Sequence, residues 1–283
     1  MARRRLWMLQ LGLLAWAALV VGRLYWLQVP EHSWLAARAQ QQQQIKVAVS
    51  AERGTIYDRN LTPLAMSLPV ESLFANPRQV PDPRLEAAAL APVLGLDRAA
   101  LRRSLSSRRS FVWVARKVTA DQSRAVAALH LPGIYSQPAT RRFYPQGELA
   151  ASVLGYVGLD GDGLGGIEHA FDRDIRGRDG RAVVEVDAHR TGYGQIERAP
   201  EEGENLVLTL DQNIQYIAQQ ELDRRVAETH ARGGVAVVED PGTGEILALA
   251  NSPTFNPDDA SDTPAARLGD AAISSPYEPG SVF

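Results

Sequence analysis

Cysteine is absent from the 283 residues, which excludes a disulfide-stapled scaffold and any thiolate metal site. Lysine is nearly absent: among 30 basic residues only Lys46 and Lys117 are lysines. Nor is there an excess of one charge. The 30 basic and 33 acidic residues leave a net charge of −3, which gives no broad positive field for nucleic acid, so none is expected as a partner. Metal-ligand spacing is missing as well. His32, His130, His169, His189 and His230 lie scattered, and no metal or cofactor is expected. No internal repeat is visible. With 45% hydrophobic residues, 23 Gly and 17 Pro, the composition is neither collagen-like nor wholly disordered, and the length allows about two domains.

What is present starts with an apolar run. Arg3, Arg4 and Arg5 precede Leu6–Gly22, where Gln10 is the one strongly polar residue, and apolar character resumes after Arg23 in Leu24–Leu27. Roughly 20 helical residues at 1.5 Å each cross a bilayer core of about 30 Å. Arg23 can snorkel, Tyr25 and Trp26 suit an interface, and the arginine cluster holds the N-terminus in the cytoplasm. The expectation is a cytoplasmic tail at 1–5, a single-pass anchor in the inner membrane at 6–27, a juxtamembrane helix at 28–44 and an extracytoplasmic, periplasmic body. Cleavage after Ala37-Arg38-Ala39 is set aside because that site lies well past the apolar run.

Hydrophobic periodicity predicts strands at 45–49, Ser72–Asn76, Phe111–Val118, Val153–Val157, Ala182–Val186 and Leu206–Leu210. It predicts helices over Leu85–Leu94, Ala99–Leu105, Asp121–Leu129 and Ile167–Ile175. Asp187–Glu204 reads as a surface loop. Asp211 is an N-cap for a helix with Ile214, Ile217, Ala218, Leu222 and Val226 on one face. Val235–Val238 and Ile246–Ala250, joined by Pro241-Gly242-Thr243-Gly244, predict a hairpin buried on both faces within a larger sheet, with that helix packed on it.

Three tempting motifs fail. Gly161-Asp162-Gly163-Leu164-Gly165-Gly166 matches G-x-G-x-x-G, but Asp162 would face a pyrophosphate and no further βα repeat follows. Asp160 and Asp162 begin an EF-hand pattern that Leu164 and Phe171 break. Ser281 cannot complete G-x-S-x-G before Phe283.

Several segments together resemble the class B penicillin-binding proteins, membrane-anchored peptidoglycan D,D-transpeptidases. They are Arg53–Asn60 with Leu64-Ala65, Arg142–Pro145 with Leu154–Gly158, Gly163–Glu168 through Gly177 and Gly180, Leu208–Asp211, Asp240–Ala248 and Tyr277–Ser281. Phe111–Lys117, Ala65–Ser67 and Tyr277–Ser281 look closer to the division-septum type than to the elongation type. The resemblance implies an α+β chain: the transmembrane helix, an elongated α/β pedestal (the dimerisation domain) over 45–205, and over 206–283 the incomplete start of a serine β-lactamase-like transpeptidase domain.

It also implies that Ser281 is the nucleophile that acylates on a D-Ala-D-Ala stem peptide of peptidoglycan and is trapped by β-lactams. The implied partners are a glycan-polymerising membrane protein and other division proteins. Arg53, Asp58 and Arg59 are expected to tie strands of the pedestal through charge-assisted bonds rather than to catalyse. The sequence departs from the family in one respect. The lysine of S-x-x-K would fall one position past Phe283, and no S-x-N or K-[ST]-G occurs through Phe283. Residues 1–283 are therefore expected to be a fragment, inactive alone. The alternatives are an anchored cell-wall-synthesis interaction module without catalysis of its own, or an elongation-type transpeptidase.

Overall fold

A computed structural model describes residues 2–28, 44–186 and 192–276. The chain divides into two units, Met1–Ala48 with Arg181–Ala199, and Val49–Gly180 with Pro200–Phe283.

The first unit opens with helix α1 (Ala2–Gln28), whose described side chains at Trp7 and Leu11–Trp26 are all exposed. Among the described residues no helix is long and apolar enough to cross a membrane. Strand β1 (Gln44–Val49) forms where alternation predicts it. Most of the expected juxtamembrane helix, residues 29–43, lies outside the described residues, and Gln44 belongs to β1.

In the second unit β2 (Ile56–Tyr57) pairs antiparallel with β3 (Pro63–Ala75), far longer than the predicted Ser72–Asn76. Helix α2 (Pro83–Leu94) starts where the Asp82 carboxylate accepts from the Arg84 and Leu85 amides, and α3 (Arg98–Leu105) starts the same way at Asp97. Strand β4 (Val112–Val118) and helix α4 (Ala120–Ala128) follow, the latter opened by a Thr119/Gln122 capping box. Strand β5 (Ile134–Phe143) has no counterpart in the sequence reading. Its Pro138 and polar residues hide the pattern, yet it pairs with β3 from Met66↔Phe143 to Ala75↔Ile134. The sheet runs β4-β3-β2 with β5 against β3, and Leu73, Leu90, Leu105 and Val114 fill the core between it and the helices.

The predicted strand Val153–Val157 is instead a helical turn, α5 (Ala151–Leu154), set between positive-φ residues Ala150 and Gly155. Helix α6 (Gly166–Ala170) and helix α7 (Asp172–Ile175) replace the single predicted helix, because Phe171 leaves helical geometry at φ −109°. Strand β6 (Gly180–Val186) pairs antiparallel with β7 (Gly192–Arg198), so the predicted loop Asp187–Glu204 contains a strand; the first unit's sheet has the order β1-β6-β7. Tertiary pairing overrides the weak β pattern of Gly192–Arg198.

Strand β8 (Leu206–Val207), shorter than the predicted Leu206–Leu210, runs parallel to β2. Leu210 joins Ile56, Leu64, Tyr144, Leu154 and Ile175 in a second core. Helix α8 (Gln212–Thr229) is capped by Asp211, as expected, through the Asn213 and Ile214 amides. Strands β9 (Gly234–Glu239) and β10 (Ile246–Ser252) form the expected antiparallel hairpin, with α8 against it. The hairpin is not buried on both faces. Along β9 exposure alternates, and Val235 and Val237 are 40% and 51% exposed, because α8 covers one face only. Among the described residues this sheet has two strands, and a helical turn, α9 (Ala271–Ser274), follows it.

Candidate functional site

Three distant stretches of sequence meet at Glu168, whose side chain is fully buried. The Arg53 Nε donates to Glu168 Oε2 and the Arg142 Nε to Oε1, each at 2.6 Å. Arg53 also donates to the Glu168 backbone carbonyl at 2.6 Å and to Asp172 Oδ1 at 2.6 Å. Arg142 reaches the Gly54 carbonyl at 2.7 Å. Burial and then the Glu168 charge push the Tyr144 phenol well above its ordinary value. Two arginines on one carboxylate compensate buried charge that would otherwise cost several kcal/mol per ion.

Backbone contact makes this junction tight. A Cβ on Gly54 would lie 1.9 Å from the Glu204 carbonyl oxygen, and one on Gly166, at φ +53°, 2.3 Å from that of Val153. The G-x-G-x-x-G stretch serves this packing: the Gly163 amide donates to Asp172 and its carbonyl contacts His169 Nδ1. Asp160 and Asp162 pair with Arg116 and Arg176. Among the described residues no cluster of three or more His, Asp or Glu is placed to hold a metal.

A second junction forms at Asp58, 1% exposed. Burial alone would raise its carboxyl, but donors from Thr62, Gln212 and Asn60 outweigh that and hold it below the usual carboxylate range. Asn60 Nδ2 also donates to Asp211 Oδ2 at 3.0 Å, and Arg59 pairs with Glu245 at 3.4 Å. Arg53, Asp58 and Arg59 do form charge-assisted bonds, but not between pedestal strands: Arg53 ties to Glu168 and Asp172 on α6 and α7, Asp58 to the start of α8, and Arg59 to Glu245 before β10.

The expected nucleophile Ser281, with Tyr277–Phe283, lies outside the described residues. The chain leading to it is positioned by side-chain amides. Gln215 on α8 donates to the Leu249 carbonyl at 3.0 Å and accepts the Leu249 amide at 2.7 Å, so it completes the free edge of β10. Gln219 donates to the Asn251 carbonyl at 2.8 Å. Asn251 in turn donates to Asp270 Oδ1 at 2.9 Å and accepts the Ala271 amide at 3.0 Å, which fixes the start of α9. Phe255, 4% exposed, sets its ring edge-on to Tyr156 with centroids 6.2 Å apart. The sequence reading named Glu168 and Arg142 within motifs but did not foresee their pairing, and it missed the Gln215, Gln219 and Asn251 clamps. Polar residues on the buried face of α8 were the available signal.

Comparison with known proteins agrees with this geometry. Residues 48–208 match the family model of the penicillin-binding protein dimerisation domain, and residues 234–283 match that of the penicillin-binding protein transpeptidase domain. The chain is 34% identical over 273 residues to the peptidoglycan D,D-transpeptidase FtsI of Escherichia coli, covering 94% of this chain and 46% of that protein. It is 34% identical over 241 residues to stage V sporulation protein D of Bacillus subtilis, covering 82% of this chain and 37% of that one. The crystal structure of a peptidoglycan synthetase from Bifidobacterium adolescentis superposes with a TM-score of 0.56 at 28% identity, covering 84% of this chain and 49% of the other. The chain thus spans less than half the length of these relatives. Since the dimerisation-domain match takes in all three stretches that converge on Glu168, the chain belongs to the class B penicillin-binding proteins.

Proposed function

We propose that these residues supply the anchor, the pedestal and the opening elements of a peptidoglycan D,D-transpeptidase of the division-septum type, with Ser281 as its acylated nucleophile. The observation that carries this reading is the 34% identity to FtsI over 273 residues, which runs across both family-model matches. In this reading the pedestal spans 45–205 and the transpeptidase part begins at 206. Stem peptides of peptidoglycan are the acyl donor and acceptor, and β-lactams acylate the same serine. The hydroxyl of Ser281 adds to the D-Ala-D-Ala carbonyl carbon, its proton passes to a base, and the terminal D-Ala leaves. The amine of a second stem then takes the acyl group and regenerates the serine.

The base is the lysine that the S-x-x-K pattern expects one position past Phe283, on the same helix face as the serine. Residues 1–283 contain only Lys46 and Lys117, so residues 1–283 alone are expected not to acylate. The anchor in this reading is the apolar stretch 6–27 of the sequence within helix α1, where Leu13, Leu14, Trp16, Leu19 and Val21 stand exposed. A glycan-polymerising membrane protein and other division proteins are the partners expected on the pedestal.

Fluorescent penicillin followed by denaturing electrophoresis tests this. A chain extended through the lysine of S-x-x-K and the S-x-N and K-[ST]-G motifs is expected to label, and Ser281→Ala to abolish the label. Loss of the base, worth about 10²–10⁴ in rate, leaves residues 1–283 alone unlabelled. An extended chain that stays unlabelled, or one that labels equally as Ser281→Ala, overturns the assignment.

A further inference from the structure

A cleft of about 480 Å³ opens between β4, β5, the 156–164 loop and the segment after β10, beside the Glu168 junction, whose Arg142 and Tyr144 it shares. Arg116, Lys117, Arg141 and Arg142 line it, against a single carboxylate, Asp258. Lys117 owes its place to an irregularity in the sheet. Between the pairs Leu73↔Ala115 and Glu71↔Val118 strand β4 carries one extra residue, a β-bulge. Lys117 sits at this bulge with φ +52°, and its amide donates to the buried Ser72 hydroxyl at 3.0 Å. A left-handed conformation at a residue with a side chain costs on the order of 1–3 kcal/mol.

That strain places the ammonium among other cations. Arg116 is braced by Asp160 at 2.8 Å and by the Trp113 ring, with its guanidinium 5.3 Å from the centroid. No described residue hydrogen-bonds the Lys117 amine or the Arg141 guanidinium, and burial followed by the Arg116 charge pushes the Lys117 amine below its ordinary value. Arg142 is 7% exposed, and its Nη2 is buried without a partner although its Nε and Nη1 are satisfied. Asp258 does not complete the set. Its Oδ1 is buried and unpartnered, and burial raises its carboxyl against the opposing pull of the Arg141 charge and the Tyr144 amide, so one carboxylate faces four cations.

We propose that this cleft binds a small multivalent oxyanion, held by the Lys117 ammonium, the Arg141 guanidinium and the free Nη2 of Arg142. Its volume suits a small molecule, and four cations that include one strained and one orphaned group, facing one lining carboxylate, leave a negative group as the missing complement. The site stands apart from the transpeptidase reading and does not depend on Ser281. Phosphoryl and carboxylate groups share the required chemistry.

Titration calorimetry of the full chain in detergent at low salt, with inorganic pyrophosphate in one arm and citrate in the other, tests it. Saturable one-site binding of either probe is expected, and the arm that binds identifies the source. Lys117→Gln and Arg141→Gln should each weaken binding about tenfold or more. Lys117→Arg should retain it, as should the control Arg224→Gln/Arg225→Gln, which removes two cations from α8. Thermal unfolding of each variant establishes that it is folded. Binding of neither probe to the native chain overturns the proposal, as does binding that folded Lys117→Gln and Arg141→Gln leave unchanged.

Discussion

Glu168 shows how much one residue carries here. Its two oxygens take both arginines, and it has no solvent to fall back on. Glu168→Gln keeps the shape and removes the charge, so the buried Arg142 guanidinium loses its counter-ion and that of Arg53 keeps only Asp172. The expected cost is about 3–5 kcal/mol, read as a drop in the denaturant midpoint; a change under about 1 kcal/mol would show that the cluster is not a buried ion network. The carboxylates also set an acid limit. Asp58, Asp172 and Asp211 are held below their ordinary values despite burial at Asp58 and Asp172, so their contribution is present above the unfolded value near 4 and is lost as pH falls through the folded values. Glu86 and Asp258, raised by burial, act in the opposite sense and gain as pH first falls toward about 4. Urea midpoints between neutral pH and pH about 3 should therefore hold or rise slightly and then drop. Asp58→Asn should flatten the final drop, and an unaltered acid limb would remove Asp58 from the account.

Among the elements, α8 and the β9–β10 hairpin depend on each other. The hairpin alone would be marginal in water, and α8 has few buried side chains, of which Gln215 and Gln219 bond β10 directly. Gln215→Leu would leave the Leu249 amide and carbonyl unpaired, at about 1–3 kcal/mol. Amide exchange should accelerate along β10 while β3 and β5 keep their protection. Uniform acceleration across all three strands would mean that α8 and the hairpin unfold only with the rest. Helix boundaries were readable because Asp82, Asp97, Thr119 and Asp211 announce them with side-chain caps, a local interaction. Strand β5 was not, since its hydrogen bonds come from β3, 77 residues upstream at the Met66↔Phe143 end of the pairing.

For the molecule as a whole, the proposed anchor would determine where all this chemistry operates. A reporter that functions only after export, fused beyond residue 60, should be active and should sediment with membranes, and replacement of Leu13, Leu14 and Leu19 by Asn should release it. A shortened soluble product from the unaltered chain would show cleavage instead of anchoring. Residues 206–210 come from the stretch assigned by sequence to the transpeptidase part, yet Leu206, Leu208 and Leu210 pack with Ile56 and Leu64. The two stretches share a core, so their stabilities are expected to be coupled.

The sequence by itself determined the apolar N-terminal run, the capped helices, the hairpin and the family, because each rests on local spacing or on an ordered set of motifs. The nucleophile proposed at Ser281 rests likewise on residue identity and interval. The tertiary structure alone decided that Arg53, Arg142 and Glu168 share one buried site, and that β7 and β5 are strands. It also decided that a bulge turns Lys117 in among Arg116 and Arg141, and that one face of β9 is left uncovered. These features depend on partners tens to more than a hundred residues apart, and no local pattern encodes which distant group will satisfy a buried charge or a strand edge.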